Sequence, residues 1–172
     1  MTMTSAEAKM LDFAPYMPAV LAQSSVLSSR ETYEQNRHRV YSLAFWMTDN
    51  ELAAEELTMQ AFCRAFRCSA EPSADDIDIA LLTELRPYFN LENVTLNCAP
   101  CDRVLSVRHN TLRVELERAV VQLPDAEKLM FLLHDVEGYS HTRIARLLDT
   151  SEQESQRGVH QARLRLRELL AS

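Results

Sequence analysis

The sequence predicts an all-α protein made of two small helical domains joined by a linker, and three observations support this prediction. Only two of the 172 residues are glycine, which argues against turn-dense β-sandwiches and against glycine-rich phosphate loops. Leu, Ala, Glu and Arg, which favour helices, dominate the composition. Apolar residues recur at helical spacing in two blocks, separated by a stretch without periodicity. We therefore expect domains at residues 1–90 and 112–172, with a linker at 91–111.

The first helices of the N-terminal block are predicted from apolar spacing and capping residues. A short helix is expected around residues 17–23, and a clearer helical pattern begins at residue 31. This pattern stops at 48–51, where Thr or Asp can cap a new helix and Glu51 can close a capping box. Because the next helix follows almost directly, the two should lie as an antiparallel hairpin.

The rest of the N-terminal block is predicted to be a loop at 68–76 and a helix at 77–89 that is broken at Pro87. This part is acidic, since segment 71–92 holds six acidic residues against one basic residue. Segment 141–172 instead holds six arginines against four acidic residues. In a chain whose net charge is −7, any nucleic acid should therefore meet the C-terminal end.

The C-terminal block is predicted to hold four helices. Its first two apolar stripes are separated by Pro124, and the second should end at Gly138 as a C-cap. The stripes consist of Leu112, Leu116, Ala119, Val120 and Leu123, and of Leu129, Met130, Leu132, Leu133 and Val136. Ser140 is expected to cap a short helix, and Ser151 with Glu154 has capping-box spacing for the last one.

A short helix, a tight turn and a longer basic helix together describe a helix-turn-helix. Close packing of the two helices needs a small residue, which Ala145 supplies, and the turn needs tolerance of positive φ, which Asp149 has. The last helix should present polar and basic side chains to a DNA major groove. The candidate DNA-binding residues are Ser151, Gln153, Gln156, Arg157, His160, Arg163 and Arg165. A helical hairpin that packs without binding DNA is the alternative.

Two segments carry a resemblance to a known family. Residues 120–170 are similar to region four of the extracytoplasmic-function sigma factors, in the run VVQLPDAEKLMFLLHDVEGYSHTRIARLLDTSEQESQRGVHQARLRLRELL. Residues 51–67, ELAAEELTMQAFCRAFR, resemble region two. Both segments occur in the family's order, with a linker between them. The resemblance implies a region two-like bundle, a region four-like helix-turn-helix, and a role in transcription initiation.

The resemblance also implies the partners. Region two docks on the clamp of core RNA polymerase, which in this chain points to Glu55, Glu56, Met59 and Gln60. The family has a Gln-Glu pair where this chain has Met59 and Gln60, so that contact would be less polar here. Region four reads the minus-thirty-five element of promoter DNA and touches the polymerase flap. An anti-sigma factor is a further partner that the resemblance admits.

Two departures from the family pattern favour a second interpretation. The family uses a tryptophan-containing helix and a basic stretch to melt and read the minus-ten element, but this chain has the acidic segment 71–92 and its tryptophan lies upstream, at Trp46. The family also has an apolar residue at Ser155 and bases at Gln156 and Gly158. The alternative function is a sigma-like interaction module or regulator that does not melt or read promoter DNA.

Other functional classes find little support in the sequence. No Ser, His and acid combination stands at a catalytic spacing and no phosphate loop is present, so we expect no enzyme and no cofactor. The first residues lack the pattern of a signal peptide, and no apolar run approaches the roughly 18 residues of a membrane span. The sequence therefore predicts a cytoplasmic protein that does not insert into membranes.

The cysteines offer one further candidate site. Cys98 and Cys101 form a Cys-x-x-Cys pair, to which Cys68 and His109 could add ligands for zinc. A thioredoxin-like redox site would need a βαβ context, which the helical pattern does not provide. Incidental reduced thiols are the simpler interpretation, so no metal site is predicted.

Overall fold

The structure, a computed structural model, describes residues 17–91 and 113–171, and within these ranges it describes side chains from residue 28 onward. The described residues form seven α-helices and one π-helical turn, with no β-strand among them. The predicted all-α class is therefore confirmed for this part of the chain. Nearly all of the predicted linker lies outside the described residues, together with Cys98, Cys101 and His109.

The first helix is longer than predicted. α1 spans Met17–Thr48 without interruption, so the helix expected around residues 17–23 is present but continues into the helical pattern predicted from residue 31. The physical reason is that no proline or glycine follows Pro18 within α1, and the serines at 24–29 cost a helix little. Pro18 itself lies in the first turn, where the missing amide hydrogen breaks no helical hydrogen bond.

The break between α1 and α2 lies where the sequence predicted it, but a different residue caps the second helix. α2 spans Glu51–Cys68. Asp49 adopts a left-handed conformation with a φ of 49°, which reverses the chain. The side chain of Asn50 then accepts a hydrogen bond from the backbone N–H of Ala53 at 3.0 Å. The prediction that Thr48 or Asp49 caps α2, with Glu51 closing the box, was therefore wrong.

The acidic segment forms a capped helix. α3 spans Ala74–Leu85 and begins three residues earlier than predicted, because Ser73 caps it. The Ser73 hydroxyl accepts from the backbone of Asp76, whose carboxylate accepts in return from the backbone of Ser73 at 2.8 Å. The Ser73 hydroxyl also donates to this carboxylate at 2.7 Å, and this hydrogen bond, followed by the one from the Ser73 backbone, lowers the pKa of the Asp76 carboxyl. The helix ends two residues before Pro87, in agreement with the predicted break.

The C-terminal half forms the predicted helices with one irregularity. Its elements are α4 (Arg113–Val121), α5 (Asp125–Phe131), a π-helical turn (Leu132–Val136), α6 (His141–Leu148) and α7 (Glu152–Ala171). Gly138 ends the π-helical turn with a φ of 71°, as predicted. Leu116 and Val136, which belong to the predicted apolar stripes, are 42% and 55% exposed, so these two positions do not lie in the core. Val136 lies in the π-helical turn, which has more residues per turn than an α-helix. Its side chain therefore points in a different direction from the one that α-helical spacing predicts.

The two halves pack against each other. α1 contacts α4 and α5, and α3 contacts α6. Buried apolar residues from both halves form one continuous cluster. The Asp78 carboxylate of α3 lies inside this contact, 2% exposed, and accepts a hydrogen bond from the Tyr139 hydroxyl at 2.7 Å. α1 and α3 therefore form one side of a joint interface, and the helix-turn-helix is built on the other side.

Candidate nucleic-acid interface

α6 and α7 pack closely because small residues lie between them. Ala145 of α6 is 7% exposed, as the sequence predicted for the tight contact. Ser155 of α7 is fully buried, and its hydroxyl lies 3.0 Å from Nδ1 of His141. Burial and the neighbouring His134, whose ring centroid is 4.2 Å away, lower the pKa of His141. An uncharged imidazole therefore bonds Ser155 at neutral pH.

The turn between the two helices uses the left-handed residue that the sequence predicted. Asp149 has φ 56° and ψ 49°. The backbone N–H of Thr150 donates to the carbonyl of Ala145 at 2.9 Å, which closes the end of α6. The chain thus leaves α6 and enters α7 within three residues, so the relative placement of the two helices is fixed by backbone geometry.

A capping box orders the first turn of α7. The Ser151 hydroxyl accepts from the backbone N–H of Glu154 at 3.1 Å. The Glu154 carboxylate accepts from the Thr150 hydroxyl at 2.6 Å and from the backbone N–H of Ser151 at 2.9 Å. These hydrogen bonds, the one from Thr150 foremost, lower the pKa of Glu154 to about 2. The carboxylate is therefore ionised at neutral pH and holds Ser151, a predicted DNA-binding residue, in the cap.

Four of the predicted DNA-binding residues share one exposed face of α7. They are Gln153, Gln156, Arg157 and His160. Their spacing of three, one and three residues places them on adjacent turns of the same face. The opposite face is buried through Ser155, Gly158, Val159, Ala162 and Leu166. Two amides, a guanidinium and an imidazole are thus presented together to solvent, which is the set of groups that read base edges and phosphates.

The two remaining predicted arginines are engaged in ion pairs within the protein. Arg163 donates to both carboxylate oxygens of Asp135, at 2.9 and 2.6 Å, and these hydrogen bonds raise the pKa of Arg163. Nε of Arg165 lies 2.9 Å from the carboxylate of Glu127, which is fully buried. Both arginines therefore attach α7 to α5 and to the π-helical turn.

Arg143 and Arg146 of α6 are functional candidates that the sequence analysis did not include. Nη2 of each approaches the Asp75 carboxylate of α3, at 2.7 and 2.6 Å. Arg143 also lies 3.1 Å from Asp78 and stacks over the Tyr139 ring, 3.6 Å from its centroid. The sequence does indicate that ion pairs could form, since segment 71–92 has an excess of acidic residues and segment 141–172 an excess of arginines. It does not show which acidic residue pairs with which arginine.

The exposed face of α2 carries the predicted polymerase-binding residues. Glu55, Glu56 and Met59 are exposed, and Met59 exposes 62% of its surface. Gln60 is half-buried and donates to the Glu56 carboxylate at 3.1 Å. Leu52, which the sequence analysis did not single out, is 76% exposed on the same helix. The face therefore combines two exposed apolar side chains with two carboxylates.

An apolar groove borders this face. It lies between α1 and α2, with a volume of about 1100 Å³, and its walls include Tyr33, Met59, Phe62 and Phe66. Tyr33 and Phe62 meet edge to face, with ring centroids 4.8 Å apart. Because Met59 belongs both to the groove and to the exposed face of α2, the two form one continuous surface.

Comparison with known proteins supports the assignment of the C-terminal half. Residues 113–166 match the family described as "Sigma-70, region 4". The chain is 27% identical, over 164 residues, to the ECF RNA polymerase sigma factor SigE of Mycolicibacterium smegmatis. The match covers 87% of this chain and 64% of that protein, so the chain spans about two-thirds of its relative. Within residues 17–91 and 113–171, no helix is long and apolar enough to cross a membrane.

Glu154→Gln should lower the free energy of unfolding at pH 7, because the neutral amide is a weaker hydrogen-bond acceptor than the carboxylate in the cap of α7. The loss should shrink as the pH falls from 4.5 towards about 2. A carboxyl whose pKa is lowered by folding stabilises the fold above its ordinary pKa and loses this contribution as it is protonated. Urea unfolding of both proteins across this pH range measures the difference. Glu168→Gln, farther along α7, is the charge-matched control, and a loss that does not depend on pH would contradict the role of the cap.

Proposed function

We infer that this chain is an extracytoplasmic-function sigma factor and that it gives RNA polymerase its promoter specificity. In this proposal core polymerase binds the exposed face of α2, and promoter DNA binds the exposed face of α7. The observation that carries the proposal is the polar face of α7, presented to solvent by a helix-turn-helix inside the segment that matches region 4. The second helix of such a motif is the one that enters the major groove.

The side chains on α7 suit different parts of DNA. Gln153 and Gln156 carry amides that can pair with adenine edges, and Arg157 can pair with guanine or with phosphate. His160 lies one turn farther along the same face. Arg163 is half-exposed and could exchange Asp135 for a phosphate. We assign Arg165 a positioning role instead, because its carboxylate partner is fully buried.

The exposed face of α2 suits a protein partner. Leu52 and Met59 present apolar surface, and Glu55 and Glu56 add negative charge. Exposed apolar side chains beside charged ones are typical of protein interfaces, where apolar centres supply most of the binding energy and charges give specificity. A helical partner with apolar and basic side chains would complement this surface, and core polymerase is the partner that the family implies.

One observation favours the second candidate function, an interaction module that does not read DNA. Arg143 and Arg146 are held by acidic residues of α3, in a chain whose net charge is −7. This arrangement leaves less positive charge available to DNA than a helix-turn-helix usually offers. The two candidate functions can be distinguished by whether the chain binds DNA with an affinity that falls as the salt concentration rises, since only binding to DNA releases counterions from phosphates.

Arg157→Ala should weaken binding to promoter fragments by about 1–3 kcal/mol if Arg157 contacts a base. If Arg157 contacts a phosphate, the number of counterions released on binding, measured as the slope of log K against log salt concentration, should fall by about one. Binding of genomic fragments at several salt concentrations, followed by fluorescence anisotropy, distinguishes the two. Arg113→Ala removes the same charge from α4, where Arg113 is exposed and pairs with Glu117. Equal effects of the two substitutions would contradict a specific role of α7.

Met59→Asp should weaken binding to core polymerase by about tenfold or more, because it places a charge in the apolar part of the α2 face. Ile79→Asp is the matched control, since Ile79 is 51% exposed on α3, away from this face. Co-purification of the tagged full chain with core polymerase, followed by titration of each variant, measures the effect. Unchanged binding by Met59→Asp would remove α2 from the proposed interface, and absence of any complex would contradict the proposed function.

A further inference from the structure

We propose that Asp75 and Asp78 of α3 act as internal substitutes for DNA phosphates. In the free chain they hold Arg143 and Arg146 of α6, and DNA must displace them to engage the helix-turn-helix fully. The inference rests on the DNA binding proposed above and adds two things to it. It identifies the arginines of α6 as a phosphate-binding element in addition to α7. It also identifies the carboxylates of α3 as the groups that mask these arginines in the free chain.

The geometry around Asp75 matches what a phosphate would provide. Its Oδ1 lies 2.7 Å from Nη2 of Arg143, and its Oδ2 lies 2.6 Å from Nη2 of Arg146. A phosphodiester also presents two anionic oxygens, and guanidinium groups bind carboxylates and phosphates through the same kind of charge-assisted hydrogen bond. Asp75 therefore occupies both arginines with the chemistry that a DNA backbone would use.

The position of α6 makes these arginines suitable for the DNA backbone. In a helix-turn-helix the first helix crosses the backbone while the second enters the groove. Arg143 and Arg146 are three residues apart and lie on one face of α6. The Arg146 side chain is 68% exposed even when paired. Phosphates that approach this face would meet the carboxylates of α3, which repel them, so DNA and α3 compete for the same surface.

The contact can open while the buried Asp78 carboxylate keeps an ion-pair partner. Asp78, which is 2% exposed, keeps Arg39 of its own half as an ion-pair partner. Arg143 keeps the Tyr139 ring of its own half, which lies 3.6 Å from the guanidinium carbon. Asp75 is already one-third exposed. Moreover, the buried Nε of Arg143 has no hydrogen-bond partner among the described residues, so the closed state does not fully satisfy this guanidinium.

Substitution of Asp75 tests the proposal in the full-length chain. Asp75→Asn should raise the affinity for a pool of random-sequence DNA duplexes by about fivefold, because it releases Arg146 and removes one of the two carboxylates that hold Arg143. Contact with phosphates does not depend on sequence, so a random pool suffices. Glu84→Gln is the matched control, since Glu84 lies on the same helix but pairs with Arg64 of α2 at 2.5 Å. The two variants change the net charge by the same amount. Asp78→Asn is avoided because Asp78 is buried.

A third comparison links the gain to the arginines. In a chain that carries Arg143→Ala and Arg146→Ala, the further change Asp75→Asn should no longer increase affinity. An increase that persists there, or an equal increase with Glu84→Gln, would mean that only net charge matters and would overturn the proposal. If no form of the chain binds DNA in a salt-sensitive way, the proposed function fails, and the inference fails with it. If instead the unsubstituted chain and all variants bind DNA with equal affinity in a salt-sensitive way, the proposed function stands and only the role of Asp75 is overturned.

Discussion

The carboxylate of Asp78 joins the two halves of this protein, and the position of the helix-turn-helix depends on it. A buried carboxylate is tolerated only when ion pairs and hydrogen bonds replace its hydration. Asp78 obtains them from Arg39 of α1, from the Tyr139 hydroxyl and from Arg143. Burial, and next the hydrogen bond to Asp78, raise the pKa of Tyr139, so the hydroxyl stays protonated and remains a donor.

This network fixes how α3 meets α6. Loss of one partner from a buried ion pair typically costs about 3–5 kcal/mol, so the charged groups resist other relative placements of the two halves. The apolar cluster that both halves share stabilises their contact but does not depend on direction. The charged groups, whose hydrogen bonds are directional, determine how the two halves are aligned. With α6 held in this way, the ion pairs Arg163–Asp135 and Arg165–Glu127 hold α7 against the rest of its own half. The polar face of α7 is left pointing to solvent.

Features that depend on neighbouring residues could be predicted from the sequence. The left-handed turn at Asp149, the Ser151–Glu154 capping box and the end at Gly138 each follow from the conformational preferences of a few consecutive residues. The buried Ser155 also follows, since helical spacing places it opposite the exposed residues of α7.

Features that depend on distant residues could not be predicted. Asp78 and Arg143 are 65 positions apart, so their contact exists only because the halves pack. The same holds for Arg165, which a sequence reading assigns to phosphate although its partner is the buried Glu127. The π-helical turn has no simple sequence signal, and it changed which residues of that stretch are buried. The choice of Asn50 over its neighbours as the cap of α2 was a local feature that the residue types alone left open.

In the proposed function, the two binding surfaces lie on different halves of the protein. The α2 face is exposed while the halves are packed together, whereas in our proposal Asp75 of α3 holds the α6 arginines until DNA displaces it. Polymerase and DNA would then act in order, which gives the acidic α3 a role that does not require it to touch DNA.

Transcription reconstituted from purified core polymerase, the full chain and fragments of its own genome tests the central claim most directly. Under this claim, we expect initiation at discrete sites only when the chain is present, and loss of these transcripts with Arg157→Ala or Met59→Asp. A chain that binds core polymerase tightly but directs no initiation on any fragment would contradict it.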